Sequence, residues 1–246
     1  QVPHLGIIDP RIGSAFVKYG CLFDEMVAFF SSRAPRDYHP ACDATRMWLN
    51  VTPPVCDLRA VGLDSSAPAI RFAVAAGLLD GGIPKDLEKE DEELGAEDIA
   101  WLRSCNLMIS TGAVGYVTER TIGIVLDHLG QDYPTEYGPF AVLTILRMFD
   151  PAPIAKTFQE HGFRFGPVPG LRLPQRRFTG PEEMGRVISM LRERGLDTRE
   201  WEEKGKQFAD LYIAAPPRQF PLLSDHMVKT RTRVEGESRM AGYIRR

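Results

Sequence analysis

The segment from Leu58 to Gly77 constrains the fold more than any other part of the sequence. Leu58, Ala60, Val61 and Leu63 make an apolar run of strand length. Asp64 follows at the carboxyl end of that run. Ser65 or Ser66 then suits a helix N-cap, and Pro68 fits only the first turn of a helix. Ile70, Ala73, Val74 and Gly77 recur at helical spacing. A buried strand feeding a capped helix is the repeating unit of an open parallel α/β sheet, and ligands of such sheets bind outside the carboxyl ends of the strands. A carboxylate in that position can accept hydrogen bonds from both hydroxyls of a ribose. Asp64 is therefore a candidate nucleoside contact, with simple capping of the helix as the plainer alternative.

The alternation runs along the chain. His4 to Ile8 reads as a first strand, broken by Asp9-Pro10-Arg11 ahead of a helix over 12–19. Two helices, over 24–30 and 38–49, form an insertion at about 21–52 rich in apolar and aromatic residues. A helix end and turn at Leu78 to Gly82 lead to a short extended piece over 83–87. Glu88 to Asp98 is an acidic, solvated face, and Ile99 to Leu102 belong to a helix leading into Cys105. Asn106 to Ser110 forms the fourth strand and runs into a glycine-bearing turn, Thr111 to Tyr116, whose small residues let a ligand approach the backbone. Val117, Thr121, Ile124 and His128 share the next helical stripe. Phe140 to Phe149 is the fifth strand, and Pro151 to Gly162 bounds a helix. Two short strands, 163–168 and 171–173, precede a connection at Pro174 to Phe178. Pro181 opens a helix with Met184, Val187, Ile188 and Leu191 facing inward, and 207–215 is the last strand. The chain thus reads as one α/β domain over 1–215, followed by a basic tail, 216–246.

Composition narrows the function classes. A formal net charge of −3 offers no electrostatic case for nucleic acid, which is not an expected partner. No apolar run approaches the roughly 18 residues of a membrane helix, so no membrane association is expected. The sequence begins at Gln1 with neither an initiator Met nor a signal-like apolar segment, which leaves room for residues upstream. Cys21, Cys42, Cys56 and Cys105 are scattered without a CxxC, and the five histidines are far apart, so neither a metal site nor disulfides are expected. A reducing, cytoplasmic location follows as the expectation.

Four stretches carry a family likeness: Val61 to Asp64, Leu78 to Ile83, Leu107 to Thr121, and Leu146 to Asp150. With them the chain resembles the class I S-adenosylmethionine-dependent methyltransferases over most of residues 4–215. The likeness is to a bacterial and fungal subgroup of methyltransferase-like proteins with an insertion after the first helix. The resemblance implies a Rossmann-like sheet, mostly parallel with an antiparallel C-terminal strand, and helices on both faces. It implies S-adenosyl-L-methionine as cofactor and a small-molecule acceptor. In that frame Asp64, beside Ser65, would hold the ribose hydroxyls. Asp86 and Leu87 would flank the adenine. Ser110, Thr111 and Gly112 would lie beside the methionine portion, and Tyr116 would wall the acceptor pocket.

The first turn departs from the family pattern. Gly6, Asp9 and Arg11 stand where the glycine-rich loop belongs, but Ile7 and Ile8 are bulky and Pro10 removes an N–H. An altered cofactor pose, weaker binding or a reassigned site are the three outcomes this leaves. Two other functions stay open: turnover of the sulfonium by cyclisation or elimination, and a cofactor-less scaffold that associates with itself or with a homologous subunit. A nicotinamide-dependent dehydrogenase is disfavoured, because no G-x-G-x-x-G follows the first strand.

Methyl transfer is an in-line displacement, and alignment alone supplies roughly 7–11 kcal/mol. Aromatic faces stabilise the sulfonium by about 0.5–2 kcal/mol each. Tyr116, Tyr133, Tyr137 and Phe149 are the candidates. Where the acceptor carries a proton, Asp132 is the candidate base. His128 reads as a packed histidine on its apolar stripe, and His161 as a helix-end residue stabilised by the dipole. The catalytic candidates are therefore Tyr116, Asp132 and Tyr133.

Overall fold

The computed structural model describes residues 59–75, 77–133 and 138–228. The expectations placed on Gly6, Asp9, Arg11 and Tyr137, on the first strand and on the insertion lie outside the described residues, as does most of the basic tail. The chain divides into two compact units, the first ending at Trp101 and the second beginning at Leu102. Each is α/β.

In the first unit, strand β1 (Val61–Leu63) pairs in parallel with β2 (Gly81–Ile83), and helix α1 (Ala67–Ala75) connects them. The cap is as the sequence suggested: Ser66 Oγ accepts from the Ala69 amide at 3.4 Å, and Pro68 sits in the first turn. The second strand lies earlier than the extended piece expected over 83–87. Gly81 and Gly82 form it rather than a turn, because neighbouring side chains crowd the strand from both faces. A Cβ on Gly81 would stand 2.5 Å from the Trp101 ring, and one on Gly82 would stand 2.3 Å from Ile70. Ile70, Phe72, Ile83 and Leu87 are buried in this unit. Helix α2 (Ala96–Arg103) carries Trp101, on whose ring the Arg59 guanidinium rests at 4.5 Å.

The second unit is built on a four-stranded sheet in the order β3 (Leu107–Thr111), β4 (Phe140–Leu146), β6 (Lys206–Ala215), β5 (Arg164–Arg177). β3 and β4 are parallel, while β6 runs antiparallel to both β4 and β5. The sheet expected to be mostly parallel is therefore mixed, and its final strand is antiparallel as expected. Strand β4 has neighbours on both edges and is buried at every residue except Leu146, which explains why Thr144 is the only polar residue in its sequence. Burial alternates along β6, with Gln207, Ala209, Leu211 and Ile213 inside.

Helices α3 (Glu119–Leu126), α4 (Ala152–Glu160) and α5 (Pro181–Glu193) follow β3, β4 and β5. Thr118 caps α3 by accepting the Arg120 amide. That start places Thr121, Ile122, Val125 and Leu126 in the core, whereas Ile124 is only half-buried and His128 falls in the turn beyond the helix. The stripe predicted through Ile124 and His128 is thus rotated by one position. Pro151 and Gly162 bound α4 as expected, and His161 holds its end by donating from Nδ1 to the Thr157 carbonyl at 2.7 Å. Phe158, Phe165 and Tyr212 stack in series, with centroids 4.9 and 5.1 Å apart. A last helix, α6 (220–228), follows β6, and Phe220 and Leu223 are buried, so the beginning of the tail packs on this unit.

Candidate functional site

The chemistry-bearing residues of the second unit gather at the carboxyl end of β3. Thr111, the last residue of the strand, pairs with Thr144 of β4. The Thr144 hydroxyl is buried and accepts the Gly112 amide at 2.9 Å, which pins the start of the turn. Gly112 takes a φ of +67°, a left-handed conformation that glycine adopts without strain. The turn continues through Ala113, whose carbonyl accepts the amides of Tyr116 and Val117 at 2.9 Å. Val114 points into the core, and Tyr116 is left 86 % exposed. Phe149, past the end of β4, lies against Gly115, where a Cβ would stand 2.4 Å from the ring. Ser110, Thr111, Gly112, Tyr116 and Phe149 therefore lie around one turn.

Strand β5 brings Gln175 to this place, and Arg176 follows it in the strand. The Gln175 carboxamide oxygen lies 3.6 Å from the position a Cβ on Gly112 would occupy. Arg176 is held by Glu183 at the start of α5, with Nη2 2.5 Å from Oε1 and Nη1 3.1 Å from Oε2. Glu183 also accepts the Thr179 amide and hydroxyl and the Gln207 carboxamide. The hydrogen bond from Arg176, followed by those from Thr179, lowers its pKa to about 2. The Arg176 guanidinium is correspondingly raised, first by its hydrogen bond to Glu183, against the pull of partial burial, and further by the Glu183 charge. The sequence had placed Gln175 and Arg176 in a connection. The structure makes them part of a single 14-residue strand. Their only signal was a polar and basic run between two prolines, which does not point to a site.

Asp132 and Tyr133 do not join this group. Asp132 pairs with Arg103 at 3.0 Å, and the Tyr133 hydroxyl donates to the Ser104 carbonyl at 3.0 Å. Both partners precede β3, so these side chains stand at its amino end, opposite the turn.

In the first unit, Asp64 follows β1, and its amide donates to the Ile83 carbonyl at 3.3 Å. Oδ1 accepts the Ser66 amide at 2.7 Å, so the carboxylate helps shape the entry to α1. Oδ2 has no hydrogen-bond partner among the described residues, and both Asp64 and Ser65 are exposed. Asp86 lies in the turn after β2, where Oδ1 accepts the Glu88 amide at 3.4 Å and Oδ2 stands 3.6 Å from the Lys89 ammonium. The Leu87 side chain is buried, which leaves its backbone as the part able to meet a ligand.

Among the described residues there is no cluster of metal-ligating side chains. No helix among them is long and apolar enough to cross a membrane. The sequence matches no protein-family model, and none of the curated proteins compared with it matches.

Proposed function

We propose that the chain binds S-adenosyl-L-methionine and transfers its methyl group to a small-molecule acceptor. The observation that carries this reading is the strand order of the second unit. The last strand, β6, enters antiparallel between β4 and β5, beside the parallel β3–β4 pair. A doubly wound dinucleotide-binding sheet keeps its last strand at the edge of a parallel array. An antiparallel final strand is what the methyltransferase resemblance implies.

The cofactor supplies a methyl group on a sulfonium, and the protein's residues bind and align. In the first unit, Asp64 offers the open Oδ2 that a ribose hydroxyl needs. Within the second unit, the Thr111–Ala113 turn presents backbone and small side chains beside the exposed ring of Tyr116. Titration calorimetry with S-adenosylhomocysteine tests the reading. Binding is expected, weakened at least tenfold in Asp64→Ala, in line with the loss of a hydrogen-bonded charge. No heat at millimolar ligand sinks the proposal. Mass spectrometry of turnover then separates methyl transfer, which yields S-adenosylhomocysteine, from cyclisation or elimination, which yields methylthioadenosine.

A further inference from the structure

A guanidinium carries five N–H donors in one plane, arranged along three edges. In Arg176, Nη1 and Nη2 meet Glu183 end-on, and Nη1 also donates to the Arg177 carbonyl at 3.1 Å. These bonds occupy three donors. The two that are left, Nε–H and the second Nη2–H, lie side by side on the remaining edge, and neither meets an acceptor among the described residues. Two parallel N–H groups on one edge match the two oxygens of a carboxylate or phosphate. The edge is also held in place. Glu183 takes five hydrogen bonds, from Arg176, Thr179 and Gln207, and is only 17 % exposed, whereas Arg176 is 52 % exposed. A charged fork fixed from behind and open in front binds an oxyanion with little ordering cost.

Its neighbourhood matches. Gln175, the preceding residue, reaches the Gly112 turn at the carboxyl end of β3, and Tyr116 presents an open aromatic face from that turn. We infer that Arg176 recognises the acceptor, taking its oxyanion on the Nε/Nη2 edge while the Tyr116 ring lies against its planar body. The acceptor class is an aromatic or similarly flat acid. The ligand's role as methyl acceptor rests on the function proposed above; the anion contact itself does not.

Arginine side-chain NMR of the full chain, labelled with ¹⁵N, tests this with three probes of one shape: benzoate, phenyl phosphate and benzamide. Benzoate or phenyl phosphate is expected to shift the Arg176 Nε–H resonance saturably, and the stronger of the two identifies the anion as carboxylate or phosphate. Benzamide is expected to leave it in place. Arg176→Lys keeps the charge but loses the paired edge, and is expected to weaken the anion at least tenfold. Tyr116→Ala, an exposed position that leaves the fold intact, is expected to weaken benzoate more than acetate. Equal responses to benzoate and benzamide, no response to either anion at tens of millimolar, or undiminished binding in Arg176→Lys would overturn the inference. An Arg176 response without S-adenosylhomocysteine binding retires the cofactor reading and keeps the anion site. The converse retires the anion site alone.

Discussion

Gly115 shows how a single residue sets the shape of the turn after β3. Its φ of +112° lies where residues with a Cβ are strained, and Phe149 occupies the space a side chain would need. The ring tip can move aside, but the backbone strain cannot be relieved locally. Gly115→Ala is expected to destabilise the protein by about 1–3 kcal/mol in urea unfolding and to shift the fluorescence of the neighbouring Tyr116. An unchanged midpoint would show that the turn tolerates another backbone conformation. Asp64 makes the complementary point. Its place before a capped helix could be read from the chain, but only the structure shows that one carboxylate oxygen caps Ser66 and the other is open. Thr144 gave no warning at all. A threonine inside an apolar strand reads as core, and its role in holding the Gly112 amide depends on strand register.

At the level of elements, β5 and β6 depend on a buried ion pair. Arg147, just past β4, donates from Nη1 to Glu202 at 2.6 Å, and the two side chains are 3 % and 1 % exposed. Nη2 donates to the Asp197 carbonyl, and Nε faces Asp210 of β6 at 4.0 Å. Arg172 of β5 pairs with the same Asp210 and rests on the Trp201 ring. This network ties the register of the irregular half of β5, where the pairing shifts between Pro167 and Arg172, to the loop before β6. Removing one member leaves the other charge buried and uncompensated. Arg147→Met is therefore expected to cost about 3–5 kcal/mol, read as a lowered urea midpoint. The double change Arg147→Met with Glu202→Leu is expected to recover most of that loss. A double variant no better than the single one would refute this account. The two short strands expected over 163–168 and 171–173 are one strand whose pairing shifts between Pro167 and Arg172 and between Pro174 and Arg177, and Pro167 and Pro174 both occupy positions in the ladder.

For the molecule as a whole, the carboxylates set the response to acid. Glu183 is lowered to about 2, chiefly by its hydrogen bond from Arg176. Asp197 is lowered by its hydrogen bond from Arg199, and Glu203 by hydrogen bonds from Thr198 and Arg192. A folded pKa below the unfolded value contributes stability that is present above the unfolded value and lost as pH falls through the folded one. Glu202 acts in the opposite sense. Burial raises its pKa against the pull of Arg147, so its contribution diminishes as pH rises. Three lowered groups against one raised predict falling stability from about pH 5 toward pH 2, with a shallower fall in Glu183→Gln. Melting temperatures across that range are the measurement, and identical slopes for the two proteins would contradict the prediction.

The sequence by itself determined most of the order of strands and helices, the cap at Ser66, the start of a helix at Pro151, and the turn at Gly112, because these follow from local sterics and from the period of apolar residues. It could not determine the pairing that makes β5 one strand, the placing of Asp132 and Tyr133 at the amino end of β3, or the approach of Gln175 to the opposite end. Those depend on which edges share hydrogen bonds and on where long polar side chains find partners. Both are settled by residues 29 to more than 60 positions apart, beyond the reach of any local pattern.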